Sequence, residues 1–286
     1  MADPARRLAV LGSPISHSKS PALHAAAYRA LGLLWEYEAI EVPSGGLGGF
    51  LDSLDESWLG LSLTMPLKRE VLPLLDGVDA LVGMVGAANT VLLDGGRRRG
   101  FNTDVYGVEE ALREAGVTRP GRVQLLGAGS TAAAVVAAVA GMGAVSVAVS
   151  TRSPEKSGQL ATLAERLGIE LVVGGLDLSR RDRDPDVIIS TLPGGTVLGR
   201  ELPEELRAAV PLLDVAYDPW PSALARSWQA VGGRVHSGLS MLVHQALMQV
   251  RVFVNRDPGI PLPDEHRVLS AMRAAIGLDS APIVGG

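Results

Sequence analysis

Three loop segments in the first hundred or so residues carry side chains that can bind a polar ligand and move a proton. They supply hydroxyls at Ser16 and Ser18, a hydroxyl and an ammonium at Thr64 and Lys68, and amides and a carboxylate at Asn89 and in Asn102-Thr103-Asp104. A lysine beside a carboxylate can exchange a proton with a carbonyl or alcohol oxygen. Hydroxyls and amides suit a polyhydroxylated ligand. Spacing along the chain does not by itself bring Lys68 close to Asp104. Lys68 as a surface helix residue and Asp104 as a helix N-cap therefore remain alternatives.

A second pattern lies near the middle of the chain, where an apolar strand runs into a glycine-rich turn. Arg122–Leu126 precedes Gly127-Ala128-Gly129-Ser130-Thr131-Ala132, a G-x-G-x-x-A pattern that opens an apolar helix. In dinucleotide-binding folds such glycines permit a tight turn and a close approach of the pyrophosphate to the helix N-terminus. The pattern is weak evidence alone, but a place between strand and helix is the context it needs.

The next strand ends without the acidic residue that would hold the ribose of NAD. Val145–Val149 is followed by Ser150, Thr151 and Arg152, and Lys156 comes four residues later. An arginine at this position suits a ribose 2′-phosphate. The sequence therefore predicts an NADP-binding protein, with Lys156 placed to share the same anion. A solvated surface charge is the alternative interpretation of either cation.

Composition excludes several other classes of function. The chain has 286 residues, a net charge of −5 and no cysteine. This balance gives no electrostatic case for nucleic acid as a partner, and the lack of cysteine removes disulfides and thiolate nucleophiles. The five histidines show no metal-ligand spacing, so no metal is expected. Without a signal-peptide core or an apolar run of membrane length, the sequence predicts a cytoplasmic protein with no membrane partner.

Strands and helices alternate through the first hundred residues and place each candidate group beside the end of an element. The predicted strands are 7–12, 35–42 and 59–63, with a hairpin over 88–93 and 97–100. The predicted helices are 21–32 with Ser20 as its N-cap, a weak one over 44–54, and one that carries Val71, Leu72, Leu74 and Leu75. This half reads as an αβ domain.

A longer βα alternation follows a connecting helix over 104–116. Its predicted strands are Arg122–Leu126, Val145–Val149, Glu170–Val173, Val187–Thr191, Leu212–Ala216 and Arg234–His236. This is the pattern of a doubly wound parallel sheet. Two further helices, over 239–254 and 264–276, come after that sheet is complete and are expected to pack back on the first domain. The tail 280–286 shows no pattern.

These segments resemble the shikimate dehydrogenase family over nearly the full length of the chain. In the family's order and spacing they are Gly12-Ser-Pro-Ile-Ser16-His-Ser18-Lys-Ser-Pro21, Thr64-Met-Pro66-Leu-Lys68, Ala88-Asn89-Thr90, Gly100-Phe-Asn102-Thr103-Asp104-Val-Tyr-Gly107, Gly127-Ala-Gly129, Arg152-Ser-Pro-Glu-Lys156, Asp214-Val-Ala-Tyr217-Asp-Pro219 and Gly238-Leu-Ser-Met241-Leu-Val-His-Gln245. The resemblance implies reversible, NADPH-dependent reduction of 3-dehydroshikimate to shikimate, in aromatic amino-acid and chorismate biosynthesis.

The resemblance also implies a domain layout and a role for each matching residue. Residues 1–104 with 239–286 form the substrate-binding domain, and 105–238 form an inserted Rossmann-type NADP-binding domain. Lys68 and Asp104 are the catalytic pair. The implied substrate-binding residues are Ser16 and Ser18 for the carboxylate, Thr64, Asn89 and Gln245 for hydroxyls or ring orientation, and Tyr217 near the substrate. The implied cofactor-binding residues are Gly127, Ala128, Gly129, Ser130, Thr131, Thr151, Arg152, Lys156, Gly238 and, near the nicotinamide, Met241.

Three positions depart from the family pattern. Ser62 stands where the family usually has Asn, and it keeps a hydroxyl with a shorter reach. Thr151-Arg152-Ser153 replaces the usual Asn-Arg-Thr, but Arg152 is retained, so NADP stays favoured. The loop after Gly129 carries Ser130-Thr131 in place of the commoner Gly-Ala, a milder change.

Several alternatives stay open at this point. A quinate or quinate/shikimate dehydrogenase is the nearest rival, and such relatives often use NAD and vary the second hydroxyl of the Ser-x-Ser motif. Ser18 and Arg152 favour shikimate and NADP over that rival. A relative acting on aminoshikimate is another candidate, and a non-catalytic NADP-binding sensor of the same fold is a third. The sensor has no need of both Lys68 and Asp104. The chain is expected to be a monomer or a homodimer.

Overall fold

Two six-stranded sheets organise the chain. The structure is a computed structural model that describes residues 6–176 and 184–278, so the predicted tail 280–286 lies outside the described residues. The chain divides into two units, the first made of Met1–Asp104 with Leu242–Gly286 and the second of Val105–Met241.

The elements follow one another along the described chain in a largely alternating order. The strands are β1 Arg7–Gly12, β2 Glu36–Glu41, β3 Trp58–Leu63, β4 Gly77–Val78, β5 Thr90–Asp94, β6 Arg97–Phe101, β7 Arg122–Leu126, β8 Ser146–Thr151, β9 Glu170–Gly175, β10 Val187–Ser190, β11 Leu212–Asp214 and β12 Val235–Ser237. The helices are α1 Ser20–Leu31, α2 Leu47–Asp52, α3 Leu67–Glu70, α4 Ala80–Val85, α5 Asp104–Glu114, α6 Ser130–Gly141, α7 Gly158–Leu167, α8 Glu204–Ala209, α9 Ala223–Gln229, α10 Leu239–Asn255 and α11 Glu265–Ala275.

The sheet of the first unit mixes parallel and antiparallel strands in the order β2-β1-β3-β5-β6-β4. Strand β1 runs parallel to β2 and β3, whereas β5 pairs antiparallel with both β3 and β6. The predicted hairpin is therefore confirmed. All six residues of β3 are buried, as expected of a strand covered on both faces.

Helices α1, α10 and α11 cover one face of this sheet with apolar side chains. Val243, Ala246, Val250 and Phe253 recur along α10 at helical spacing and are fully buried. Gly60 lets α10 come close to β3, because a Cβ at residue 60 would lie 2.4 Å from the Phe253 ring. The close contact brings Gln249 of α10 beside Ser62 of β3.

The second unit has a fully parallel sheet in the order β12-β11-β10-β7-β8-β9. Numbered within the unit and read from its other edge, this is the order 3-2-1-4-5-6 of dinucleotide-binding folds. The strand order reverses between β7 and β10, and ligands of such sheets bind at the carboxyl ends of the strands there. The predicted α/β class with a Rossmann-type sheet is confirmed.

Several local predictions were wrong. Ser20 is the first residue of α1 and not its cap; its backbone N–H donates to Ser18 Oγ at 3.3 Å. The helix predicted after Lys68 is split into α3 and a 3-10 turn over Leu72–Leu74, where Pro73 supplies no N–H. The weak helix over 44–54 shortens to Leu47–Asp52.

The starts of two other helices, α7 and α4, also follow from local structure. A 3-10 turn over Pro154–Lys156 precedes α7, which begins at Gly158. Helix α4 was missed, although its signals are ordinary ones. Asp79 accepts from Val82 N at 2.7 Å and Gly86 ends the helix in the left-handed region, as N-cap and C-terminal glycine do elsewhere.

Candidate active site

A nearly buried ion pair joins two of the chemical groups found in the sequence. Lys68 Nζ lies 2.5 Å from Asp104 Oδ2, with side chains 12% and 5% exposed. Lys68 stands on α3, and Asp104 begins α5. A buried pair persists only when further hydrogen bonds satisfy its remaining polar atoms, so the second carboxylate oxygen needs a donor.

Asn89 supplies that donor from the loop before β5. Its Nδ2 lies 2.8 Å from Asp104 Oδ1 and 3.2 Å from Gln245 Oε1. Its Oδ1 accepts from the backbone N–H of Thr103 at 2.9 Å, which identifies the oxygen end of the amide. Lys68, Asp104, Asn89 and Gln245 thus form one hydrogen-bonded cluster within the first unit.

Backbone contacts hold the three loops of this cluster together. Ala88 N donates to Lys68 O at 2.8 Å, and Asn89 N donates to Phe101 O at 3.1 Å. Asn102 Oδ1 then accepts from Asp104 N at 3.1 Å, at the start of α5. These contacts fix the end of α3, the start of β5 and the start of α5 relative to one another. They explain how residues 36 positions apart become neighbours.

The Ser-x-Ser loop and Thr64 follow two parallel strands, β1 and β3. Thr64 N donates to Leu11 O at 2.9 Å, and Ser13 N donates to Met65 O at 3.0 Å. A Cβ at Gly12 would lie 2.3 Å from Thr64 Cγ2, so glycine is required for the two strand ends to meet. Ser16 is exposed and Ser18 half-buried, which leaves hydroxyls accessible at this end of the sheet.

Ser62 faces the protein interior. Its hydroxyl accepts from Tyr37 OH at 2.7 Å and donates to Gln249 Oε1 at 2.9 Å. The residue is 3% exposed. Both hydrogen-bonding roles of the hydroxyl are therefore taken by protein groups.

Gln249 is a residue that the sequence reading overlooked. It lies one helical turn after Gln245 on α10 and is 1% exposed. An amide on the apolar face of a helix is a detectable signal, because buried polar groups require partners. His24 and Tyr37, which line the same interior region, were missed for the same reason.

The glycine-rich turn of the second unit has the geometry that a bound dinucleotide requires. Gly127 has a φ of 104°, and a Cβ there would lie 2.4 Å from Thr191 Oγ1. At Gly129 no atom lies within 4 Å of an added Cβ, so the backbone is open to an approaching ligand. Ser130 and Thr131 open the 12-residue α6, whose first N–H groups attract a pyrophosphate. The residues present fit an NADP pyrophosphate.

The predicted 2′-phosphate residues follow β8. Thr151 ends that strand, and its Oγ1 accepts from Ser153 N at 3.3 Å. Arg152 and Lys156 are both exposed, so their charges are available to an anion in solution. Ala128 lies between the two fingerprint glycines, half-buried.

The remaining predicted residues of the second unit lie late in its sequence. Burial, and secondarily the charge of Asp218, raises the pKa of the Tyr217 phenol above its usual value. A Cβ at Gly238 would lie 1.9 Å from Val215 O, so only glycine fits beside that strand end. Met241 closes the second unit, and Gln245 belongs to the first.

The described ranges contain neither a metal-binding cluster nor a membrane-spanning helix. Among those residues no group of three or more His, Asp or Glu side chains is arranged to hold a metal ion. No helix within 6–176 or 184–278 is both long and apolar enough to cross a membrane.

Comparisons with known proteins agree with this geometry. The family model described as shikimate dehydrogenase substrate binding domain matches residues 10–91. A protein of Thermus thermophilus named shikimate dehydrogenase (NADP(+)) is 36% identical over 278 residues, which cover 95% of this chain and 99% of that protein.

Solved structures give the same result. The crystal structure of Mycobacterium tuberculosis shikimate dehydrogenase superposes with a TM-score of 0.78 at 37% identity, covering 94% of this chain and 99% of that one. Shikimate 5-dehydrogenase of Thermus thermophilus, solved in complex with NADP(H) and shikimate, superposes with a TM-score of 0.77 at 34% identity, covering 94% and 99% of the respective chains.

Proposed function

Because the chain belongs to the shikimate dehydrogenase family, we propose that it catalyses the reversible NADPH-dependent reduction of 3-dehydroshikimate to shikimate. The observation that carries the proposal is the cluster of Lys68, Asp104 and Asn89, in which a nearly buried ammonium–carboxylate pair is held by an amide. Such a pair can deliver a proton to an oxygen and stabilise charge that develops on it.

Lys68 and Asp104 carry the acid–base step. When bound, NADPH supplies the hydride that reduces the substrate carbonyl carbon. Lys68 and Asp104 together provide the proton that the resulting alkoxide oxygen takes up, and the charge of Lys68 stabilises that oxygen beforehand. Asp104 Oδ2 holds the ammonium in place at 2.5 Å. In the reverse direction the same pair accepts the proton of the shikimate hydroxyl.

The surrounding polar groups orient the substrate. Ser16 and Ser18 bind its carboxylate at the accessible end of β1, and Thr64 lies beside them at the end of β3. Asn89 and Gln245 bind hydroxyls or orient the ring next to the ion pair, and Tyr217 is a further substrate-binding residue. Support comes from the accessible positions of Ser16, which is exposed, and Ser18, which is half-buried, and from the contact of Gln245 Oε1 with Asn89 Nδ2.

The cofactor-binding residues belong to the second unit, and none of them takes part in proton transfer. The turn of Gly127, Ala128 and Gly129, with Ser130 and Thr131 at the start of α6, binds the pyrophosphate. Thr151, Arg152 and Lys156 bind the 2′-phosphate. Gly238 and Met241 flank the nicotinamide. The exposure of both cations and the open backbone at Gly129 support these roles.

Three broader assignments are part of the same proposal. The substrate domain comprises 1–104 with 239–286, and the NADP-binding domain comprises 105–238. The enzyme acts in the cytoplasm, in aromatic amino-acid biosynthesis. It works as a monomer or a homodimer, and size-exclusion chromatography with light scattering decides between the two.

Initial rates with two substrates and two cofactors test the function. The purified chain is assayed for oxidation of shikimate and of quinate, each with NADP⁺ and with NAD⁺, by the absorbance of the reduced nicotinamide. We expect the highest kcat/KM for shikimate with NADP⁺. A higher value for quinate would identify a quinate/shikimate dehydrogenase instead. No turnover in any of the four assays, with NADP⁺ still bound in calorimetry, would identify a sensor.

A further inference from the structure

A buried hydrogen-bond chain runs behind the ion pair and ends on Gln249. Gln249 Nε2 lies 3.1 Å from both Asn89 O and Thr90 Oγ1. Its Oε1 lies 2.9 Å from Ser62 Oγ and 3.2 Å from His24 Nε2. These four contacts use both amide protons and both lone pairs of the oxygen. Gln249 is fully engaged with groups on β3, α1 and the loop that carries Asn89.

The Asn89 carbonyl, at one end of this hydrogen-bond chain, fixes the direction of the other hydrogen bonds. The carbonyl oxygen of Asn89 can only accept, so the amide nitrogen of Gln249 must face it. Thr90 Oγ1 accepts from the same nitrogen and therefore directs its own proton to Asn89 Oδ1, 2.9 Å away. That proton, together with the N–H of Thr103, turns the NH₂ end of the Asn89 amide towards Asp104.

We propose that Gln249 is a positioning residue for the reaction: it orients the Asn89 amide through Thr90 and the Asn89 carbonyl, and thereby holds Asp104 against Lys68. The inference rests on the proposed function. Gln249 touches neither member of the ion pair, so it acts only through Asn89. Loss of the orientation leaves Asp104 Oδ1 without a fixed donor, and the carboxylate is then free to turn away from Lys68 Nζ.

His24 holds the other end of Gln249 in place. Because Gln249 presents its oxygen to His24, the imidazole carries its proton on Nε2, and Tyr28 OH donates to Nδ1 at 3.1 Å. The ring stacks on Tyr37 at a centroid distance of 3.9 Å and an angle of 8°. Tyr37 in turn donates to Ser62. His24 and Ser62 thus hold the amide oxygen of Gln249, and Tyr28 and Tyr37 hold those two side chains in turn.

Kinetics of Gln249→Met test the proposal, since methionine keeps the length of the side chain and removes all four hydrogen bonds. We expect kcat for shikimate oxidation to fall about ten- to hundredfold, the scale of a misplaced catalytic group, while KM for NADP⁺ stays within twofold of the wild-type value. A kcat within twofold of wild type in the folded variant would overturn the inference.

A double-mutant cycle separates positioning from general destabilisation. Thr90→Val removes the proton that orients Asn89 and leaves Gln249 in place, so we expect it to lower kcat by the same route. If Gln249→Met does not fold, the kcat of Thr90→Val tests the positioning role instead. If both act through Asn89, the double variant is no slower than the slower single variant. Multiplication of the two effects would overturn the common route.

A control on the neighbouring helix reports the effect of lost stability alone. Glu265→Gln weakens the pair with Arg251 on α10, whose Nε lies 2.6 Å from Glu265 Oε2. It should lower the melting temperature and leave kcat within twofold of wild type. If wild type itself does not oxidise shikimate, the proposed function fails and this inference with it. An active wild type with an unaffected Gln249→Met variant overturns the inference alone.

Discussion

At the scale of single residues, the chemistry depends on which hydrogen-bond donors and acceptors of each polar group are already used by the protein. Asp104 has one oxygen on Lys68 and the other on Asn89, so its carboxylate is held in a fixed position. Ser62 has both hydrogen-bonding roles filled by Tyr37 and Gln249. The departure from the family's usual Asn at this position therefore alters the interior behind the site. The Ser62 hydroxyl is buried, and its only proton goes to Gln249.

Removal of the Lys68 ammonium should abolish most of the turnover. We expect Lys68→Ala to lower kcat at least about a hundredfold, the usual scale for acid–base catalysis, with little change in substrate affinity. Steady-state kinetics with shikimate and NADP⁺ give kcat, and calorimetry gives the affinity. Arg69→Ala, at the exposed neighbouring position, is the matched control and should stay near wild type. Near-wild-type turnover of Lys68→Ala would refute the assignment.

Arg152 should distinguish the two nicotinamide cofactors. Arg152→Ala is expected to raise the KM for NADPH and leave the KM for NADH nearly unchanged, because only NADPH carries the 2′-phosphate that a cation binds. Both constants come from initial rates with 3-dehydroshikimate. Arg166→Ala, on α7 of the same unit, controls for the loss of a charge. An equal effect of Arg152→Ala on both cofactors would show that it does not read the phosphate.

At the scale of elements, close approaches of backbone position the functional groups. Gly12 lets the ends of β1 and β3 meet, Gly60 lets α10 reach β3, and Gly127 lets the turn after β7 pass Thr191. Each of these glycines stands where a Cβ would lie within 2.5 Å of another atom. Steric constraints thus fix these turns, and the conformation of each turn sets the positions of the side chains that follow it.

A methyl group at Gly127 should damage the cofactor site. Gly127→Ala places a Cβ 2.4 Å from Thr191 Oγ1 at a φ of 104°, a region that alanine avoids. We expect a weaker affinity for NADP⁺ by calorimetry and a lower melting temperature. Gly158→Ala is the control, because it starts a helix with open space around it, and it should bind NADP⁺ as the wild type does. Equal affinities of all three proteins would contradict the steric argument.

At the scale of the whole molecule, two sheets of different topology divide the work. The mixed sheet of the first unit carries the ion pair and its hydrogen-bond chain, and the parallel sheet of the second unit carries the glycine-rich turn. Buried polar groups in the first unit, among them His24, Ser62 and Gln249, link its elements through hydrogen bonds. Their protonation therefore bears on the stability of the fold.

Stability should fall in acid because of His24. Burial lowers the pKa of this imidazole from 6.5 to about 3 in the folded chain, despite the opposing effect of its hydrogen bond to Gln249 Oε1. Between these values the unfolded chain binds a proton that the folded chain does not, so the free energy of unfolding decreases as pH falls. The contribution is about 1.4 kcal/mol for each pH unit from about 6 down to 3.

Urea unfolding of wild type and of His24→Gln across this pH range measures the effect. Carboxyl groups also titrate in this pH range, so the informative quantity is the difference in the free energy of unfolding between the two proteins. We expect wild type to lose its advantage progressively as the pH is lowered, because glutamine does not titrate. Parallel stability profiles of the two proteins would contradict the prediction.

Local patterns in the sequence were enough for the class of fold and the elements that carry function. Alternating apolar strands and helices predicted both sheets, and the residues flanking Gly127 predicted a dinucleotide turn, because periodicity and glycine placement depend on neighbouring residues only. The resemblance to the family is confirmed by relatives over almost the whole chain. The roles of the individual site residues stay predictions.

Contacts between distant segments were decided only by the tertiary structure. No local pattern joins Lys68 to Asp104, a pair that only the family resemblance implied, and nothing in the sequence joins Asn89 to Gln249, 160 residues later. Those pairings require three loops and a late helix to meet on one sheet, and they depend on sheet order, strand register and the space left by Gly60. The sequence by itself determined which groups could do the chemistry. The tertiary structure decided which oxygen each donor faces, because hydrogen-bond direction follows from the position of partners far along the chain.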